Sequence, residues 1–208
     1  MRIDPRITRK IRKIFAPFRR GGIKKPFTIF ANNCWGGRLY DKFAMQYLTP
    51  TIGLAMSPED FLKFCANYEH YLSKELQIIE AEQKKVNSEY GFYDCMLDDI
   101  RVCFRHFRDA HDAINKWNRR KERIVKDNII VKLSYYTDSP DDKYDEIIIK
   151  KFAELPYKKL LFTNNKLIEE NCHDFRVICL PIKNMDDHEF TQGDKVLKLK
   201  ELKELINK

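Results

Sequence analysis

From residue 26 onward, short and almost wholly apolar runs alternate with longer stretches whose apolar positions recur every three or four residues. Residues 26–31 (Pro-Phe-Thr-Ile-Phe-Ala) predict a first strand buried on both faces, followed by a polar, glycine-rich loop at Asn32-Asn33-Cys34-Trp35-Gly36-Gly37. Further strands are predicted over 51–56, 76–79, 128–133, 160–163 and 176–180. Ile100, Val102 and Phe104 alternate with Arg101, Cys103 and Arg105, the pattern of a half-buried strand. Ser57-Pro58-Glu59-Asp60 predicts a helix start with a serine cap, and Phe61, Phe64, Cys65, Tyr68, Tyr71 and Leu72 form that helix's apolar face. Asp109 and Asp112 open a second helix along Ala113, Ile114, Trp117 and Ile124. Ser139-Pro140-Asp141-Asp142 opens a third ahead of Ile147, Ile148, Phe152 and Leu155, and a last helix carries Val196, Leu199, Leu202, Leu205 and Ile206. Strands alternating with helices predict one α/β domain over 26–208, with a largely parallel sheet flanked by helices in Rossmann-like layers.

Residues 1–25 break this pattern. Ile7, Ile11, Ile14, Phe15 and Phe18 form one stripe of a helix, while Arg6, Arg9, Lys10, Arg12, Lys13 and Arg20 fill most of the remainder. Such a basic amphipathic helix fits an anionic membrane surface through residues 1–20; the alternative is an arm that is disordered or packs its stripe on the body. No apolar core of a secretory signal and no small-residue cleavage site follow it, and Gly21-Gly22 predicts a hinge. The formal net charge is +8, yet residues 1–25 hold ten Lys/Arg against one acid, leaving 29 basic and 30 acidic residues in the body. The basic excess therefore belongs to the tail, and nucleic-acid binding by the domain is not expected.

With 43% hydrophobic residues the 208-residue chain can bury a full core, and no run approaches the roughly 18 apolar residues of a spanning helix. Six cysteines without a Cys-x-x-Cys pair suit a reducing cytoplasm better than a disulfide framework or a zinc site. Cys65, Cys103 and Cys179 fall within helix or strand patterns, as core thiols do. Cys34 instead follows the first strand, where ligands gather in open α/β sheets, and it precedes two glycines whose N–H groups could face an oxyanion or phosphate. A thiol at a helix N-terminus is acidified, so Cys34 is the candidate nucleophile. If the strand over 100–105 runs parallel to the first, the same alternation puts His106 on the same rim as a candidate base; a half-buried structural histidine is the plainer alternative. Beside Trp117, the guanidinium groups of Arg119, Arg120 and Arg123 could hold a phosphate or carboxylate; the alternative is a salt-bridged helix face anchored by a buried tryptophan.

Asn32-Asn33-Cys34-Trp35-Gly36-Gly37, Thr49-Pro50-Thr51-Ile52-Gly53-Leu54, Leu97-Asp98-Asp99-Ile100 leading to His106-Phe107, and Lys116-Trp117-Asn118-Arg119-Arg120 with Arg123-Ile124 together resemble a bacterial family of unknown function. Its members commonly carry the label of exopolysaccharide or capsule biosynthesis. The resemblance covers roughly residues 27–205 and implies an α/β fold and a role beside surface-polysaccharide gene products; no family reaction transfers with it. The expectation is a cytoplasmic enzyme of surface-glycan assembly, peripheral on the inner membrane face, that transfers an acyl group to a sugar or lipid-linked glycan. Cys34 would be its nucleophile or thioester contact and His106 its base. Asn32, Asn33, Trp35, Gly36 and Gly37 would line the substrate site, and the arginines would hold acyl-coenzyme A or a sugar diphosphate. The alternative is a non-enzymatic glycan-binding or assembly factor docking on membrane-bound glycosyltransferases.

Overall fold

The computed structural model describes residues 14–18, 20–79, 84–85, 91–182 and 189–208. Two sheets share one core. The first contains β1 (Thr28–Ala31), β7 (Ile129–Ser134), β8 (Lys158–Thr163) and β9 (Arg176–Cys179), all parallel, in the order β1-β7-β8-β9. Between β1 and β7 the chain builds an antiparallel sheet of β2 (Leu54–Ala55), β3 (Leu76–Ile78), β4 (Lys84–Lys85), β5 (Gly91–Leu97) and β6 (Ile100–Phe107). The predicted α/β layering holds, and the strand over 100–105 belongs to this second sheet.

Eight helices complete the described residues, besides a short helical stretch at 14–18: α1 (Trp35–Phe43), α2 (Pro58–Ala66), α3 (Tyr68–Ser73), α4 (Ala110–Lys121), α5 (Glu146–Glu154), α6 (Lys166–Asn171), α7 (Glu189–Val196) and α8 (Leu199–Asn207). Alternation along the parallel strands divides the core in two. Phe30, Val131, Leu133, Leu161 and Val177 face the antiparallel sheet with residues of α2–α6. Ile29, Ile130, Leu160, Phe162 and Ile178 face α1 and α8. Ser57 caps α2, its Oγ accepting from Asp60 N at 3.1 Å, and Asp109 caps α4 by accepting from Asp112 N at 2.7 Å.

Four sequence readings change. Trp35, Gly36 and Gly37 are the first turn of α1, not a loop. The apolar face over 61–72 is shared by two helices that break at Asn67. Ser139-Pro140-Asp141-Asp142 is a turn; the cap of α5 is Asp145, which accepts from Ile147 N and Ile148 N. The last helix is also two, α7 and α8. Residues 1–13, including Ile7 and Ile11 of the tail stripe, lie outside the described residues. Among the described residues, no helix is long and apolar enough to cross a membrane.

Candidate functional site

The carboxyl ends of β1 and β7 lie side by side, since Ala31 pairs with Lys132. Asn32 fastens them: its Oδ1 accepts from Ser134 N at 2.8 Å and its Nδ2 donates to Ser134 O at 3.0 Å. Beyond this rung stands a buried charged cluster. Lys132 is 0% exposed in a strand buried along its whole length, and its ammonium lies 5.7 Å from the Trp35 ring centroid and 4.6 Å from that of Phe162. Its Nζ donates to Asn33 Oδ1 at 3.3 Å, to Ser134 Oγ and to the carboxylate of Glu189, the first residue of α7.

Glu189 is equally buried, and four side chains converge on it. Besides Lys132, Ser134 Oγ donates at 2.7 Å, Tyr136 OH at 3.0 Å and Asn33 Nδ2 at 3.0 Å. Burial pushes the Glu189 carboxyl upward, but the Lys132 charge and the donated hydrogen bonds outweigh it and hold the group below its usual range. Burial likewise pulls the Lys132 ammonium down, opposed by Glu189. Removing two charges from water costs several kcal/mol each unless their hydrogen bonds are satisfied. Here they are: Lys132 has three acceptors and each Glu189 oxygen at least two donors. The Trp35 indole N–H beside the cluster is buried and has no hydrogen-bond partner among the described residues.

The predicted residues divide around this cluster. Asn32, Asn33 and Trp35 belong to it. Cys34 caps α1 without a side-chain hydrogen bond to the helix, and its Sγ lies 3.8 Å from Leu54 O. Burial raises the Cys34 pKa, with Arg105 and Lys132 opposing and Glu189 reinforcing. The Cys34 thiol is thus pushed up rather than acidified as expected at a helix start, because desolvation outweighs the Arg105 and Lys132 charges. Gly36 and Gly37 allow close packing: an added Cβ would lie 3.4 Å from Ala31 Cβ and 3.2 Å from Ile52 Cγ2 respectively.

His106 does not share the β1 rim through a parallel strand. β6 pairs antiparallel with β5 and β2, and its register slips where Tyr93 faces Phe104 but Gly91 faces Phe107. The extra residue forms a bulge in which His106 takes φ 66° and Phe107, not His106, continues the buried face. His106 is exposed there. Trp117 is buried in the core at 1% exposure. The arginines separate: Arg119 is exposed, Arg123 is half-buried, and Arg120 is buried with Nη1 donating to Ile52 O at 3.2 Å and its guanidinium over the Tyr47 ring. Arg120 thus anchors the loop before β2. Among the described residues, no group of three or more His, Cys, Asp or Glu is placed to hold a metal ion.

Lys132, Ser134, Tyr136 and Glu189 were not singled out by the sequence. A lysine inside Ile-Ile-Val-Lys-Leu-Ser was the available signal, since a lysine flanked by apolar residues on both strand faces is almost never buried without a partner. Nothing local marks Glu189.

Fold and rim together define an α/β protein with a polar cluster at the carboxyl edge of its parallel sheet, the edge where such sheets receive ligands. The chain belongs to the family described as Domain of unknown function (DUF1919), whose profile matches residues 7–192 and so includes every member of the cluster. It is 28% identical over 138 residues to an uncharacterized protein of Haemophilus influenzae (strain ATCC 51907 / DSM 11121 / KW20 / Rd), across 66% of this chain and 61% of that protein. The chain thus spans less than two thirds of that relative's length.

Proposed function

We propose that the protein serves surface-polysaccharide assembly by binding the anionic group of a glycan precursor, a sugar phosphate or a uronate carboxylate, at the β1–β7 rim. One observation carries this reading: Lys132, Ser134, Tyr136 and Asn33 aim four donor side chains at a single carboxylate. All four stand on or just beyond the ends of two adjacent strands, whereas the carboxylate comes from a distant helix start. That is a receptor for a compact anion, with Glu189 as its present occupant. The polysaccharide context rests on the resemblance carried by Asn32–Gly37 and the Lys116–Ile124 segment. The Asn32–Gly37 segment itself supplies Asn32, Asn33 and Trp35 to the rim.

The geometry favours binding over acyl transfer through Cys34. A nucleophilic thiol needs an acidified sulfur or an adjacent base, and burial raises the Cys34 pKa while His106 lies on the exposed side of a bulge. A depressed carboxyl makes Glu189 a weak base as well.

Calorimetric titration with glucose 1-phosphate, glucuronate and neutral glucose tests the proposal. The two anions should bind and glucose should not. Tyr136→Phe, which leaves the Lys132–Glu189 pair intact, should weaken binding by roughly tenfold to a hundredfold, the value of one hydrogen bond to a charged group. Glu189→Ala, once shown to be folded, should strengthen binding by removing the competitor. Equal binding of glucose, or indifference to Tyr136→Phe, would defeat the proposal.

A further inference from the structure

The amino-terminal stretch and α8 are joined. Asn207 Nδ2 donates to Gly22 O at 2.5 Å, and Asn207 Oδ1 accepts from Lys24 N at 2.9 Å. The Lys203 stem runs beside Gly22, where a Cβ would lie 3.6 Å from its Cδ. Lys25 is near enough to Lys158 for its charge to add to the burial that lowers the Lys158 ammonium, and Lys158 Nζ donates to Ile206 O at 2.9 Å. Lys24, Lys25, Lys158 and Lys203 therefore gather at the carboxyl end of α8, with Lys208 one residue past Asn207. Nearby acids among the described residues include Glu204, which faces Lys200 at 4.0 Å, and Asp127, whose charge acts on Lys158.

Directly before this cationic group, Ile14, Phe15 and Phe18 are 69%, 51% and 82% exposed, while Ala16 between them is buried. Large apolar side chains are costly to leave in water, and these follow a segment that carries Arg2, Arg6, Arg9, Lys10, Arg12 and Lys13 against the single acid Asp4. We infer that residues 14–18 and 20–25 and the end of α8 form one docking face for an anionic lipid surface, with Ile14, Phe15 and Phe18 entering the acyl boundary and the lysines meeting the headgroups. A nucleic-acid backbone would use the cations but would gain little from three exposed apolar groups; the headgroup–acyl boundary uses both. Because Asn207 ties the stretch to α8, the body would sit on the membrane in a fixed orientation, not on a loose tether.

Cosedimentation of the full chain with vesicles tests this face. Binding is expected to phosphatidylcholine vesicles containing phosphatidylglycerol, declining as salt is raised, and not to phosphatidylcholine alone. Phe15→Ser with Phe18→Ser should reduce partitioning at least about tenfold. Lys24→Glu with Lys25→Glu should reduce it similarly, and neither pair should move the thermal melt, because all four side chains are exposed. Equal binding to neutral vesicles, undiminished binding by the phenylalanine variant, no vesicle binding at all, or tighter binding to duplex DNA than to anionic vesicles would each overturn the inference.

Discussion

Lys132 and Glu189 illustrate how much one buried pair can hold. Removing either partner strands the other in a dry site, so Lys132→Met or Glu189→Gln should each lower the unfolding free energy by about 3–5 kcal/mol. Replacing both by apolar residues of similar volume should cost clearly less than the sum of the two, a coupling that urea denaturation of the four proteins would measure. The pH dependence has a definite sign. The Glu189 carboxyl is held below its ordinary value in the fold, so its stabilisation is present above the unfolded value of about 4.3 and is lost as pH falls through the lower folded value. The stability gap between wild type and Glu189→Gln should therefore shrink as pH falls below about 4.3; a constant gap would mean that the carboxylate does not carry its charge in the fold. For Cys34 the raised pKa keeps the thiol protonated, and iodoacetamide at pH 8 should alkylate it more slowly than a free cysteine. Sequence reasoning reached Asn33 and Cys34 because they follow a recognisable strand. It missed Glu189 because a partner 57 residues away leaves no mark on local periodicity.

Among the elements, the predicted strands and capped helices were legible wherever one side chain decides the local backbone, as Ser57 does for α2 and Asp109 for α4. Elsewhere a signal had two meanings. Gly36-Gly37 suggested a loop open to a ligand, but these glycines let α1 pack closely against β1 and Ile52. β5 escaped notice because Phe92 and Met96 keep its less buried side partly apolar and blur the alternation. The Ser-Pro-acid pattern is genuine at Ser57 and misleading at Ser139. Asp145→Ala should therefore cost about 1 kcal/mol as a lost cap, and Ser139→Ala less than about 0.5 kcal/mol, distinguishable by thermal denaturation. Gly193 tests the docking of α7 itself. An alanine Cβ there would meet the Phe162 ring at 2.6 Å, and that ring is fully buried. Gly193→Ala should destabilise by about 1–3 kcal/mol despite the better helix propensity of alanine, and should speed amide exchange along α7 ahead of the rest.

At the scale of the whole molecule, the sequence conveyed the layering but not the second sheet, because a strand's period reveals its buried face and not the direction of its neighbour. That gap decided the reading of His106. The order of the strands also bears on how the chain assembles. Thr28 pairs with Ile129, so the first rung of the parallel sheet closes a loop of about a hundred residues, whereas β5 and β6 are joined by only Asp98 and Asp99. Loop closure grows more costly with length, and nearby segments meet first. In a refolding experiment with pulsed hydrogen exchange, amides of Tyr93–Phe104 should gain protection before those of Phe30 and Val131. The antiparallel sheet then acts as a splint that draws β1 towards β7, and the Lys132–Glu189 cluster, which needs both strands and α7 besides, is among the last parts of the protein to shed its water.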